Sequence, residues 1–135
     1  MTNRNEALVR QAYQAYTRGD LSGLLELVDP ELEWTYLNPA FADPEPATCH
    51  GRDQLRVALE RQASQGLPAE LEEVVASGDS VLVVIHQPGL DRLRVRQGND
   101  RNYLVLTLDQ DRITRMRACR DRAEARAMAG LNPDP

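Results

Sequence analysis

At Gly66 the chain changes period. Upstream, apolar residues recur three and four positions apart, as on helices; downstream they alternate, as on strands. The downstream runs are separated by turns as short as Gly78-Asp79 and Asp109-Gln110-Asp111. Connections of that length join antiparallel neighbours. Helices first and a strand run second is the order of an α+β fold, with helices packed on one side of a curved antiparallel sheet.

Period and punctuation place the elements. Leu8, Val9, Ala12, Tyr13 and Tyr16 mark a helix over 5–18, with Asn3 and Glu6 at capping-box spacing. Gly19-Asp20 stops it and caps a second helix over 20–28. Leu32, Trp34 and Tyr36 then alternate along a strand at 31–36. Residues 37–50 carry Pro39, Pro44 and Pro46 without a period and read as a long loop, either a lid or a passive surface excursion. A third helix spans 52–65, stopped by Gly66. Strands are expected at 69–77, 80–87, 101–109 and 112–120, and Asp121 with Glu124 opens a last helix over 121–129.

A chain of 135 residues reads as one domain, 1–135, able to bury a core without disulfide or metal staples. No apolar run approaches the roughly 20 residues of a membrane span, and no apolar stretch follows Asn3-Arg4-Asn5-Glu6 as in a signal peptide. The expected location is cytoplasmic, with Cys49 and Cys119 reduced. All 16 basic residues are Arg, which excludes Schiff-base lysine chemistry and a P-loop lysine. The net charge of −5 is unevenly spread: residues 1–91 carry 6 Arg against 15 acids, residues 92–126 carry 10 Arg against 5. That basic stretch has no zinc-finger spacing and one aromatic, Tyr103, so it reads as a solvated sheet face and no nucleic-acid partner is expected. GxSxG, GxGxxG and paired-Cys spacings are absent, and neither a cofactor nor a metal is expected.

Four short motifs in order carry a resemblance over about residues 5–130. They are Tyr16-x-x-Gly19-Asp20-Leu21, His50-Gly51-Arg52, Arg112-Ile113 and Met116-x-Ala118. Together they resemble the nuclear transport factor 2-like superfamily, and within it the SnoaL-like group of ketosteroid isomerases, polyketide cyclases and limonene epoxide hydrolases. The resemblance implies a conical α+β barrel around a long helix, one deep pocket, and a homodimer. It does not carry over the isomerase residues. Ungapped counting puts the carboxylate base position on Tyr36, the helix-one tyrosine position on Ala12 beside Tyr13, and the protonated-aspartate position on Leu104. The epoxide-hydrolase aspartate position on the last strand falls on Ala118.

Strand parity assigns an inward face: Leu32, Trp34 and Tyr36; Leu82, Val84 and His86; Leu104 and Leu106; Met116, Ala118 and Arg120. An apolar wall with three polar tips, Tyr36, His86 and Arg120, is the make-up of a small-molecule site. In a catalytic reading Tyr36 and His86 move a proton and Arg120 supports the developing charge, while Trp34, Leu82, Val84, Leu104 and Met116 hold an apolar, oxygen-bearing ligand. In the alternative, non-catalytic reading the same cavity binds a ligand, or the sheet binds a protein. Each tip also has a structural role open to it: Tyr36 bonding the backbone, His86 closing a strand end, Arg120 forming a rim salt bridge. His50 reads as a loop-backbone partner. Outward parity of Tyr103, Val105, Ile113 and Cys119 leaves an apolar outer face, which points to a homodimer paired there.

A tyrosine where the isomerases keep an ionised carboxylate leaves that reaction without its base. Turnover of a 5-ene-3-ketosteroid, followed by ultraviolet absorbance of the conjugated product, is expected to stay at background.

Overall fold

The computed structural model describes residues 3–37, 47–89 and 100–131. Helix α1, Arg4–Thr17, starts at Asn3, whose side-chain oxygen accepts the N–H groups of Asn5 at 2.8 Å and Glu6 at 3.2 Å. Such a cap contributes about 1 kcal/mol. Gly19, at φ 90°, turns the chain, and the Asp20 carboxylate takes the N–H and hydroxyl of Ser22 to begin α2, Ser22–Leu27. The remaining elements are β1 Val28–Tyr36, β2 Ala47–His50, α3 Arg52–Ser64, β3 Glu70–Ser77, β4 Ser80–His86, β5 Arg101–Asp109, β6 Arg112–Cys119 and α4 Arg122–Met128. Asp121 caps α4 through the N–H of Glu124 at 2.8 Å. None of the helices described is long and apolar enough to cross a membrane.

Among the described residues six strands form one curved sheet in the order β2-β1-β6-β5-β4-β3. The sheet is open, so the expected barrel does not close. Pairing is antiparallel except between β1 and β6, which run parallel because α3 and the strands after it intervene. Strand β2 falls inside the segment expected as loop; 38–46 lie outside the described residues. Its four side chains alternate, Ala47 and Cys49 half-buried and Thr48 and His50 exposed, but two small apolar residues are too short a run to stand out as a strand. Arg52 ties the start of α3 to β1, donating from Nε at 3.1 Å and from a terminal nitrogen at 2.7 Å to the Val28 carbonyl.

Two apolar layers sandwich the sheet's centre. On the inner side Val81, Val83 and Ile85 of β4 pack with α1 residues Val9 and Tyr13, with Leu106 of β5 and with Ile113 of β6. On the outer side Leu82, Val84, Val105 and Cys119 lie under Ala125 and Ala129 of α4. Strand β4 is therefore buried on both faces, and Val81 to Ile85 form an unbroken apolar run for that reason.

Two β-bulges reset the parity of the strands that flank this centre. Between β5 and β6, Thr107 faces Arg115 and Leu108 faces Ile113; the extra residue turns Ile113 into the core instead of outward as simple alternation predicts. Val105 and Cys119 do face outward, but α4 covers them. Between β3 and β4, Leu71 faces Ile85 and Glu73 faces Val84, which swings Glu73 to the outer face. There its carboxylate accepts both Nε and a terminal nitrogen of Arg122, each at 3.0 Å, with Arg126 at 3.6 Å. The bulge thus builds the clamp that holds α4 down.

Glu73→Ala is expected to cost about 1 kcal/mol, the scale of a partly exposed forked ion pair. Urea denaturation measures the loss, and faster tryptic cleavage at Arg122 and Arg126 reports that α4 has loosened.

Candidate functional site

The inner face of the sheet, with α1 and α3, encloses a cavity of about 660 Å3. Register explains its wall. Trp34 pairs with Met116 across β1 and β6, and Leu104 with Ala118 across β5 and β6, so these side chains form one inward surface. Tyr36, two residues beyond Trp34, shares its face, with ring centroids 5.3 Å apart and planes at 38°. Trp34, Tyr36, Leu104 and Met116 all line the cavity, as parity predicts.

The buried polar groups of this wall are neutral and largely paired with one another; the half-buried Arg101 also lines the cavity and is committed to Glu72 and Asp100. Gln87 is only 6% exposed and accepts a hydrogen bond of 2.7 Å from the side-chain amide of Asn102. Tyr13 is 2% exposed and meets Tyr16 edge-on at 5.6 Å. Tyr16 donates its hydroxyl to the Gln62 side-chain oxygen at 3.3 Å, joining α1 to α3. Burial pushes the pKa of both phenols up, that of Tyr13 strongly, so both stay protonated donors. Helix α3 supplies the exposed rim with Gln54, Val57, Arg61 and Gln65. The carboxylate that reaches the cavity, Asp53, is also on that rim, 85% exposed and paired with Arg56 at 3.1 Å.

Half of the sequence-predicted site lies elsewhere. Leu82, Val84 and His86 point to the outer face, because Val83 and Ile85, not their neighbours, pair with the inward Leu104 and with Asn102. A strand apolar at every position has no alternation from which to read its register. Arg120 lies beyond the end of β6, exposed, with its backbone N–H donating to the Glu124 carboxylate at 3.3 Å. His50 is exposed on β2 beside a smaller hollow with Pro30 and Arg52. In exchange the cavity receives Gln87 and Asn102, which sequence parity missed: with the odd positions of β4 facing inward, Gln87 lies two residues beyond Ile85 and Asn102 two before Leu104. Cys119 is buried under α4, and desolvation pushes its thiol up to about 12, which removes it as a nucleophile near neutral pH. Among the described residues no group of three or more His, Cys, Asp and Glu side chains is placed to hold a metal ion.

On the outer face His86 closes a charged cluster at the ends of β3, β4 and β5. Its Nε2 lies 2.8 Å from an Asp100 oxygen and its Nδ1 3.5 Å from Glu70. Arg101 bonds the second Asp100 oxygen at 3.0 Å and forks onto Glu72 at 2.7 and 3.0 Å. The hydrogen bond to Asp100 is the main cause that raises the pKa of His86, and the same bond lowers that of Asp100. This is a strand-end clamp, the structural role open to His86.

The SnoaL-like domain family matches residues 9–116. No curated protein matches the sequence. Among solved structures, IdmH from Streptomyces antibioticus, a candidate polyketide cyclase, superposes with a TM-score of 0.64 at 18% identity, covering 96% of this chain and 100% of its own. An NTF2-like protein of unknown function from Burkholderia pseudomallei gives 0.62 at 21%, covering 95% and 98%. Bal32a, from a soil-derived mobile gene cassette, gives 0.63 at 22%, covering 94% and 95%. At these identities the structural matches speak for the fold alone.

The cluster has a pH signature. A histidine whose folded pKa lies above its ordinary 6.5 contributes stability that is fully present below that value and is lost as pH rises through the folded pKa. Asp100, lowered from 3.8, contributes above that value and loses its share as pH falls through its folded pKa. Urea titrations between pH 5 and 8.5 are expected to show a stability difference between the wild type and His86→Asn that shrinks as pH rises.

Proposed function

The chain belongs to the SnoaL-like family, and within it we propose that this member binds a largely apolar, neutral, oxygen-bearing small molecule in the cavity beneath α1 and α3. The observation that carries the reading is the chemistry of the wall: aromatic and aliphatic side chains, with phenols and amides as its buried polar groups. Neutral donors suit carbonyl and hydroxyl oxygens, whereas a buried carboxylate ligand would need a cation at the same depth. The non-catalytic alternative gains from this. With His86 on the outer face and Asp53 solvated at the rim, the buried wall among the described residues offers hydrogen bonds to polarise a carbonyl but no ionised base to take a carbon-bound proton.

A second copy of the chain is the proposed partner, and its seat is the outer face of β2, β1 and β6. There Glu33 lies 3.8 Å from Arg115, and Thr35 and Thr48 share a hydrogen bond of 3.3 Å next to Arg117, so acidic and basic groups on one patch complement themselves about a two-fold axis. This replaces the apolar patch that parity suggested, which α4 covers in part. Cys49 and Cys119 are both free, in keeping with the reducing cytoplasm proposed as its compartment.

Saturable quenching of Trp34, the sole tryptophan, by 1-tetralone tests the pocket. Ala58→Phe, which fills the cavity from α3, is expected to weaken that binding at least about 10-fold with little change in thermal stability, and Tyr13→Phe to weaken it about 3- to 10-fold, as loss of one hydrogen bond does. Absence of quenching, or quenching unchanged in Ala58→Phe, overturns the reading. Light scattering is expected to give a dimer mass that Glu33→Arg converts to monomer.

A further inference from the structure

We infer that the side-chain amide of Gln87, held through its oxygen by Asn102, is the group that anchors the ligand in the cavity, and that its nitrogen selects an acceptor oxygen, above all a neutral carbonyl. The inference rests on the binding reading above and assigns the polar anchor which that reading leaves open.

Tyrosine and cysteine aside, Gln87 is the one polar residue that is buried among the described residues. It stands just past the apolar run Val81 to Ile85, and it lines the cavity. Burying a glutamine there costs rotamer freedom and hydration that another valine would not. Two bonds hold it in place. Its backbone N–H donates to the Asp100 carbonyl at 2.8 Å, and its side-chain oxygen accepts the Asn102 amide at 2.7 Å. Both partners lie at the start of β5, one on either side of Arg101, so the backbone and the far end of the side chain are fixed to the same stretch of chain. These bonds use the amide oxygen and leave the nitrogen, which carries two N–H donors. Among the described residues that nitrogen donates to none. Nor is it sealed off. The side-chain atom that is both closed to solvent and without a partner among the described residues is the indole nitrogen of Trp34. A donor that is neither bonded nor closed off opens on the cavity that its side chain lines.

The way the amide is held then sets the ligand class. A free carboxamide both donates and accepts, and so discriminates little. With its oxygen engaged by Asn102, Gln87 offers the cavity its N–H groups, and a ligand that meets them must bring a lone pair. A ketone, ester or quinone carbonyl does so and carries no proton of its own to place, whereas a hydroxyl needs a second partner. A hydrocarbon at the same point displaces water from the amide and returns no hydrogen bond for the one lost. A carboxylate is disfavoured because Arg61 on the cavity rim is exposed and Arg101 is committed to Asp100 and Glu72. Ile85 and Leu104, two residues away along β4 and β5, also line the cavity, so the oxygen is expected at the edge of an apolar body.

One substitution and one matched pair of compounds separate the outcomes. 1-Tetralone and tetralin share a bicyclic skeleton and differ by a carbonyl oxygen. In the 1H–15N spectrum of the wild type, the side-chain amide pair of Gln87 is assigned through its own backbone. Titration with 1-tetralone is expected to move one of its two protons downfield in step with binding, whereas tetralin, which carries the same aromatic ring, leaves both nearly in place. By calorimetry Gln87→Met, which keeps the length of the side chain and loses its N–H groups, is expected to bind 1-tetralone about 3- to 10-fold more weakly and tetralin no more weakly than before. If neither compound binds the wild type, the pocket reading falls and this inference with it. If both bind but the Gln87 amide protons stay put, or Gln87→Met weakens both equally, the pocket stands and the role of Gln87 is overturned. The spectrum of the wild type decides the matter even if Gln87→Met folds poorly.

Discussion

The burial of β4 on both faces is the constraint on which the rest of this fold hangs. Strands are usually covered on one side and wet on the other, but Val81 to Ile85 have α1 and the core beneath them and α4 above. The helix above does not hold itself there by apolar contact alone, since it is seven residues long and presents small side chains, Ala125 and Ala129. It is pinned by Arg122 and Arg126 on Glu73, and Glu73 reaches that face because of one inserted residue in β3. A defect in strand pairing and a surface ion pair are thus two parts of one device. The conformational entropy of a short isolated helix would otherwise keep it in solution.

What could be read from the residues, and what could not, divides along the same line. The helices and most strands were legible to within about three residues because caps and turn residues are local signals: Asn3 caps α1 and Asp121 caps α4 as their spacing suggests. The family was legible for a similar reason, from motifs fixed in order along the chain. Face assignment held where alternation survives, on β1, β5 and the end of β6, and so Trp34, Tyr36, Leu104 and Met116 came out inside. It failed where the physics erases alternation. On β4 two-sided burial makes odd and even positions equally apolar, and this turned Leu82, Val84 and His86 the wrong way. On β6 a bulge shifts Ile113 relative to Met116, and no residue type in Arg112-Ile113-Thr114-Arg115 announces it. Strand β2 alternates Ala47 and Cys49 with Thr48 and His50, a run of four too short to be told from loop.

Moving His86 outside changes the electrostatic character of the cavity more than any other correction. A histidine within the wall would have made the site a titrating one, with a charge that comes and goes near neutral pH. Its replacement by the Gln87–Asn102 pair gives dipoles of fixed sign and no net charge. Protonation at the surface cluster and occupancy of the interior are then separate variables, although Gln87 follows His86 directly in the chain.

The two hydrogen-bonded pairs that border the cavity differ in what holds them. Gln87 and Asn102 stand on neighbouring strands, and Gln87 is further fastened by its own N–H to the Asp100 carbonyl at 2.8 Å. Tyr16 and Gln62 are joined by one side-chain bond between two helices, and α3 otherwise leans chiefly on β1. Breaking that bond costs about 1 kcal/mol, a small fraction of what holds the sheet together. The inner end of the chamber is therefore the stiffer and the entrance the more yielding. A lineage could change the reach of the entrance by altering α3 alone, leaving the Gln87–Asn102 end untouched.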